Sequence, residues 1–340
     1  MTQLPNMHDV AEAAGVSHQT VSRVLNDQPH VRQETRERVL RAIADLGYRP
    51  NAAAKSLVTR RSRILGVLAP SVAQHGPTRS VLAIESAARQ YGYRPLVTAT
   101  AVDRGASIGA LRFLLDQAIE GLVVIAPHQH ILDAIAELEL SLPVVVLQAA
   151  GQEVGTGVGV DQRRGARLAV EHLLELGHTR VQHVAGPAEY FEARARAGAY
   201  LEMLISAGAP ALAVIPGDWT AESGYRAAWQ LDPGTTAVFC ANDETAIGLI
   251  RGLAERGQRV PDDVSVVGFD DLPESAYLVP SLTTVSQDLE LVGREAVLTI
   301  TSRLDGTDHQ TTAVQPVLKV RESTRRYGTD STADPDWRTR

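Results

Sequence analysis

Val10, Ala13 and Ala14 recur at helical spacing, and the face they form begins just after Asn6, a residue type that favours a helix start. Gly15-Val16 interrupts the pattern. Ser17 offers a second helix start, with Val21, Val24 and Leu25 facing inward. After a loop through Asn26-Asp27-Gln28-Pro29, a third amphipathic stretch runs from about Arg32 to Leu46. It places Val39, Leu40, Ile43 and Leu46 on one face, and Gly47 follows where helices commonly stop. Nothing in this segment alternates like a strand.

From Ile64 the pattern changes to short apolar runs separated by amphipathic helices. The runs are Ile64–Leu68, Pro95–Thr98, Leu122–Ile125, Val144–Leu147, Val181–Val184, Leu212–Ile215, Ala237–Cys240 and Val264–Gly268. Buried strands alternating with helices predict parallel sheets wrapped by helices, here two doubly wound lobes. Binding sites in such folds lie at the carboxyl ends of strands. Polar residues fall there: Asp218-Trp219, Asn242-Asp243-Glu244 and Asp270-Asp271.

Composition fits a globular chain of about two domains, with 44% hydrophobic, 21% charged and only 4% aromatic residues, so the core is mostly aliphatic. The net charge of −7 excludes a generally basic nucleic-acid coat. Residues 1–61, however, carry nine Lys/Arg against six Asp/Glu, and the rest carries 24 against 34. Only the first segment therefore suits a polyanion. Cys240 is the single cysteine, so no internal disulfide forms, which fits a reducing cytoplasm. The first residues show neither a basic nor an apolar signal segment, and no run approaches the roughly 20 apolar residues of a membrane span. The expectation is a cytoplasmic protein with no membrane partner.

A helix, a glycine-bearing turn and a second helix with a polar opening form the pattern of a helix-turn-helix. In that motif the early side chains of the second helix meet base edges in the major groove. Here they are Ser17, His18, Gln19, Thr20 and Arg23. Gln can pair with adenine and Arg with guanine through two bonds each, while His can donate to either acceptor. The pattern by itself also fits a plain three-helix bundle with a polar face.

Longer matches decide between these. Asp9-Val10-Ala11, Ala14-Gly15-Val16-Ser17, the run Thr20 to Asn26, Thr35-Arg36 and Leu46-Gly47-Tyr48-Arg49-Pro50-Asn51 resemble the headpiece of the LacI/GalR family of transcription regulators. The resemblance continues through Gly177-His178, Gly217-Asp218-Trp219, Ala241-Asn242-Asp243, the run Val266 to Asp271, and Pro280-Ser281-Leu282-Thr283-Thr284, covering residues 7–325. It implies an all-α helix-turn-helix headpiece (1–50), a hinge helix and linker (51–62), and an α/β core of two periplasmic-binding-protein-like lobes (63–325). The N-lobe would take about 63–160 and 289–316, and the C-lobe about 161–288 and 317–325. A disordered tail would follow at 326–340.

The resemblance also implies roles. His18, Gln19 and Arg23 are base readers, while Ser22, Asn26, His30, Thr35 and Asn51 contact the DNA backbone. A well-known member of the family has Tyr where His18 stands, which leaves the operator sequence open. Residues 51–58, with Ala54 and Leu57, match a hinge helix too short to stand alone, folding when two copies meet on DNA. Leu57 would wedge into the minor groove. The bland alternative is a linker helix in which Leu57 merely packs. A homodimer would then read a nearly palindromic operator.

In this family a small effector lies between the lobes. Arg196, Asn242 and Asp270 match positions that bind sugar hydroxyls, Trp219 matches a residue that packs against the sugar face, and Gln287 and Pro77 also fall at pocket positions. The alternative is a purely structural Arg196–Asp270 ion pair. Gln148, Glu192 and Val160 depart from a well-known member of the family, which has Asp, Ser and Phe there. A sugar effector is implied, with a galactoside first. Other readings are a regulator sensing a purine or a phosphoprotein, and a free-standing sugar receptor, which would carry an export signal and no headpiece.

The remaining signals are bland. Gly155-Thr156-Gly157-Val158-Gly159 lacks the Lys-Ser/Thr of a phosphate loop and suits a flexible lead into a strand. His128 and His130 lack companions for a metal. His178 reads as structural and Cys240 as an inert buried residue. No nucleophile has a placed base, so neither an enzyme nor a cofactor is expected. Residues 326–340 contain no Leu, Ile or Val, so the leucine heptad that joins four chains elsewhere in the family has no counterpart, and a dimer is expected.

Overall fold

A computed structural model describes residues 5–26, 28–48, 61–71, 74–125, 128–147 and 156–328. The chain divides into two compact units, Met1–Ser62 and Arg63–Arg340.

The first unit holds α1 (Met7–Ala14), α2 (His18–Leu25) and α3 (Gln33–Leu46). Asn6 caps α1: its side chain accepts from the His8 N–H at 2.7 Å, and Asp9 returns the bond to the Asn6 N–H at 2.7 Å. Gly15 ends the helix in the left-handed region at φ 64°, where a side chain would be strained. Ser17 caps α2 through Thr20 N–H at 3.2 Å. Val10, Ala11, Ala14, Val21, Val24, Val39, Ala42 and Tyr48 form the core. Two apolar assignments change: Ala13 is exposed, with Ala11 buried in its place, and Leu40 is half-exposed at 50%. In α3 the buried line runs through Val39, Ala42 and Ile43, which turns Leu40 and Leu46 toward solvent.

The second unit contains two five-stranded sheets. The first comprises β1 (Ile64–Pro70), β2 (Arg94–Thr100), β3 (Gly121–Ile125), β4 (Val144–Leu147) and β5 (Thr156–Val158), in the order β2-β1-β3-β4-β5 and parallel throughout. It is flanked by α4 (His75–Gln90), α5 (Arg104–Asp116) and α6 (Gln129–Glu137). The second sheet has β6 (Val181–Val184), β7 (Ala237–Cys240), β8 (Ser265–Asp270) and β9 (Thr283–Ser286) in parallel, with β10 (Val317–Lys319) antiparallel at the edge. Its helices are α7 (Gln162–Glu175), α8 (Phe191–Ser206), α9 (Ala221–Ala227) and α10 (Asp243–Glu255).

The chain passes between the lobes three times. It leaves the first lobe after Val160, returns before α11 (Leu289–Leu304), which packs its Val292, Ala296, Val297 and Ile300 into the first core, and leaves again between Val314 and Val317.

Leu212–Ile215 is not a strand. Only Ile215 bridges to Val184, through Ile215 N–H to His183 O at 2.9 Å and Ala185 N–H to Ile215 O at 2.8 Å. Pro210 and Pro216 bracket the run and cannot donate to a ladder. Tyr327, within the span expected to be a tail, donates its N–H to Leu176 O at 2.9 Å, and its ring lies 5.6 Å from His178; residues 329–340 lie outside the described residues. His178 is held by Thr236 and Arg325 O, each at 3.0 Å. Cys240 is fully buried in β7. No helix among the described residues is long and apolar enough to cross a membrane.

Candidate functional site

In the first unit, α2 exposes His18 and Gln19 in its first turn and Arg23 in its last turn. The Thr20 hydroxyl instead turns back to the Ser17 hydroxyl at 2.9 Å. Asn26 donates to Ser22 O at 2.9 Å, tying the end of the helix to Ser22. The His18 ring stacks on the ring of His8 from α1, with centroids 4.8 Å apart and planes 29° from parallel. His30 lies in the following loop at φ 81°, a conformation that non-glycine residues adopt mainly under constraint. Thr35 is half-buried in the first turn of α3. Asn51, Ala54 and Leu57 lie outside the described residues, as does Gln148.

In the second unit, a cavity opens at the carboxyl ends of both sheets. Pro77, Arg196, Trp219, Asn242, Asp270 and Gln287 all line it, so the structure brings the described pocket candidates together. Val160 and Glu192 line it too. The sequence reading missed Gln162 and Tyr190, along with Leu289 and Val292 from the returning helix. Gln162 follows the Asp161 cap immediately after the first crossing; that junction was the available signal.

The polar wall is a chain of three hydrogen bonds that an ion-pair contact closes into a ring. Arg196 Nε donates to Gln162 Oε1 at 2.8 Å, Gln162 Nε2 donates to Gln287 Oε1 at 2.9 Å, and Gln287 Nε2 donates to Asp270 Oδ1 at 2.6 Å. Asp270 closes the ring at 3.7 Å from Arg196 Nη2. Arg196 Nη1 donates to Ala241 O, and its guanidinium stacks 3.6 Å over Phe269. The 3.7 Å gap is too long for a hydrogen bond, so the acid and the base are held near each other mainly by the glutamines. Burial pushes Asp270 up to about 8 against the pull of Arg196, and lowers Arg196 in turn.

Asn242 serves two roles. Its Oδ1 caps α10 through Thr245 N–H at 3.0 Å, and its Nδ2 donates to Trp219 O at 2.9 Å. It therefore fixes Trp219, which sits at φ 71°. Gly186 makes room for the indole: a Cβ there would lie 2.4 Å from the ring. Asp270 and Asp271 also hold positive φ, at 107° and 56°. Such strain persists only where the surroundings impose it, and here it marks the cavity rim. Below the floor, buried Asp243 accepts from Leu272 N–H and Ser275 Oγ and is raised by burial to about 6.

A flat aromatic face beside paired donors and acceptors suits a ligand rich in hydroxyl groups. His128 and His130 touch edge to face, 5.8 Å apart, and among the described residues no group of three His, Cys, Asp or Glu is placed to hold a metal. Thr156–Val158, within the glycine-rich stretch, is edge strand β5.

Known proteins share both units. Residues 6–51 match the family model described as bacterial regulatory proteins, lacI family, and residues 170–324 match a periplasmic binding protein-like domain. The chain is 37% identical over 337 residues to the lactose operon repressor of Escherichia coli (strain K12), spanning 97% of this chain and 93% of that protein. It is 33% identical over 340 residues to the HTH-type transcriptional regulator CelR of Thermobifida fusca, spanning 94% and 98%. The crystal structure of the lac repressor dimer bound to operator and the anti-inducer ONPF matches with a TM-score of 0.89 at 35% identity, covering 95% of this chain and all of that one. With a helix-turn-helix headpiece ahead of a two-lobed periplasmic-binding-protein-like core, the chain belongs to the lacI family of bacterial regulatory proteins, the DNA-binding transcriptional repressors.

Proposed function

We propose that this chain is a cytoplasmic homodimeric repressor whose grip on a nearly palindromic operator is controlled by a sugar in the core cavity. The observation that carries the reading is the Arg196–Gln162–Gln287–Asp270 ring facing the cavity beside Trp219. Guanidinium and amide donors alternate with carboxylate and amide acceptors there, as the hydroxyls of a pyranose require, and the indole offers a flat apolar surface for its C–H face. The structure of a CelR–cellobiose complex matches with a TM-score of 0.71, which supports a saccharide class. A galactoside stays first, by likeness to the lactose operon repressor.

Relatives named PurR make a purine the second reading, at 30% identity over 332 residues. A flat base favours sandwiching between parallel plates. The two aromatic residues lining this cavity, Tyr190 and Trp219, stand at 74° to each other, which favours the sugar.

In this reading Ser17, His18, Gln19, Thr20 and Arg23 form the base-reading surface, and Ser22, Asn26, His30, Thr35 and Asn51 meet the backbone. Residues 51–62, with Ala54 and Leu57, link the headpiece to the core as a hinge. The effector closes the lobes and favours the state that binds operator weakly; it can do so only by preferring that state. Replacing Arg196 or Asp270 should give a protein that holds operator and ignores sugar. Operator release by sugar in both variants, at the concentrations that release the wild type, would refute the assignment.

A further inference from the structure

Glu192 lines the cavity one helical turn before Arg196 on α8. Among the described residues no other residue donates a hydrogen bond to its carboxyl group. The nearby cations are already engaged. Arg196 turns Nε to Gln162, Nη1 to Ala241 O and Nη2 toward Asp270. Arg194 points outward, donating to Ala188 O at 3.0 Å with its guanidinium over the Phe191 ring. Tyr190 also lines the cavity, its hydroxyl raised by burial and then by the charge of Glu192, yet among the described residues no hydrogen bond joins the two, so Glu192 offers an acceptor that no side chain of the wall satisfies. A shielded carboxylate without donors is costly, so whatever fills the space must supply them.

We propose that Glu192 sets the charge class of the effector: the cavity takes a sugar bearing hydroxyl or amine donors at the Glu192 end and rejects one bearing an anion there. The inference rests on the sugar reading above and adds to it a property that Arg196, Asp270 and Trp219 do not specify. Burial pushes Glu192 up to about 7, consistent with a group that lacks donors. A hydroxyl or amine lets it ionise, whereas a second anion forces it to keep its proton or suffer like-charge repulsion.

The test uses the full-length protein at pH 8 and isothermal titration. The probes are methyl galactosides and methyl glucosides, each compared with its C6 uronate, C6 uronamide and C6 amine. Carboxymethyl and carbamoylmethyl glycosides form a second pair that carries the acid or amide on the aglycone. Acid and amide match in size, so their affinity ratio reads charge. At one of the two positions the acid should bind at least about tenfold more weakly than the amide, as like charges a few ångströms apart require. Glu192→Gln and Glu192→Ser should each bring that ratio to within about threefold. Equal binding of acid and amide at both positions would overturn the inference while leaving the sugar reading intact. So would a gap that persists unchanged in both variants. If no parent, amide or amine binds the wild type, the sugar reading falls and this inference with it.

Discussion

Gln162 donates a 2.9 Å hydrogen bond to Gln287 and so joins the two chain segments that pass between the lobes on either side of the cavity. Gln162 opens α7 just after the first crossing, and Gln287 stands between β9 and the returning helix. A ligand touching Arg196 or Asp270 therefore pulls on the crossings themselves. Gln162→Ala would leave Arg196 Nε and Gln287 Oε1 without their partners. Effector affinity should fall about tenfold, the scale of one lost hydrogen bond to a charged group. Titration calorimetry checks this, and unchanged affinity would remove the ring from the account.

The headpiece gives a second expectation. Arg23→Ala should cost about 1–3 kcal/mol of operator affinity and relax preference at one base pair. If His18 reads a base pair, His8→Ala should lower discrimination there, because it removes the ring stacked on the imidazole, and His8→Phe should restore it. Affinity selection from random duplexes, followed by anisotropy on single-site variants, measures both. Footprints unchanged by Arg23→Ala would sink the assignment of the reading helix.

A third expectation concerns acid. His183 is fully buried between Phe239 and Tyr200, its Nδ1 bonded to Phe239 O at 2.8 Å, and burial lowers it to about 4. The unfolded chain protonates this imidazole near 6.5, whereas the folded one resists. The folded state thus loses stability as pH falls from about 6.5 to about 4, by about 3 kcal/mol in all. Buried Asp243, raised to about 6, acts in the opposite sense over an overlapping range. The difference between wild type and His183→Phe isolates the histidine. Melting temperatures taken every half unit should show the wild type falling faster than the variant over this range. Parallel curves would refute it.

Assembly gives a fourth. Tyr277 and Val279 are 86% and 95% exposed, an apolar pair after β8 that solvent would not favour. With no leucine heptad in residues 329–340, light scattering should report about twice 36.5 kDa, unchanged when those residues are deleted. Tyr277→Asp with Val279→Asp should shift the mass toward one chain. A mass near four chains that falls on deleting the tail would contradict the expectation.

Much of this architecture is legible in the sequence because burial leaves unbroken aliphatic runs. Val144–Leu147, Val181–Val184 and Ala237–Cys240 coincide with strands end to end. Thr283–Ser286 escapes notice because its buried hydroxyls mimic a loop; Thr283 accepts from Arg321 N–H at 2.9 Å and Ser323 donates to Val266 O at 2.6 Å, contacts invisible without the fold. Leu212–Ile215 shows the reverse error, an apolar run between prolines that makes only one bridge. At the site, Arg196, Trp219 and Asp270 stand out by type and position. Gln162 does not, since an amide in the first turn of a helix looks like an ordinary solvated residue until the crossing brings it to Gln287.

If a sugar in the core cavity controls the headpiece, its binding must change operator affinity. The most direct measurement is fluorescence anisotropy of the full-length dimer on a selected operator, titrated with galactosides, glucosides and disaccharides, with Arg196→Ala in parallel. At least one sugar should lower wild-type operator affinity by tenfold or more, on the scale of allosteric couplings, while Arg196→Ala stays bound. No change with any sugar, or equal release of wild type and Arg196→Ala, would contradict it.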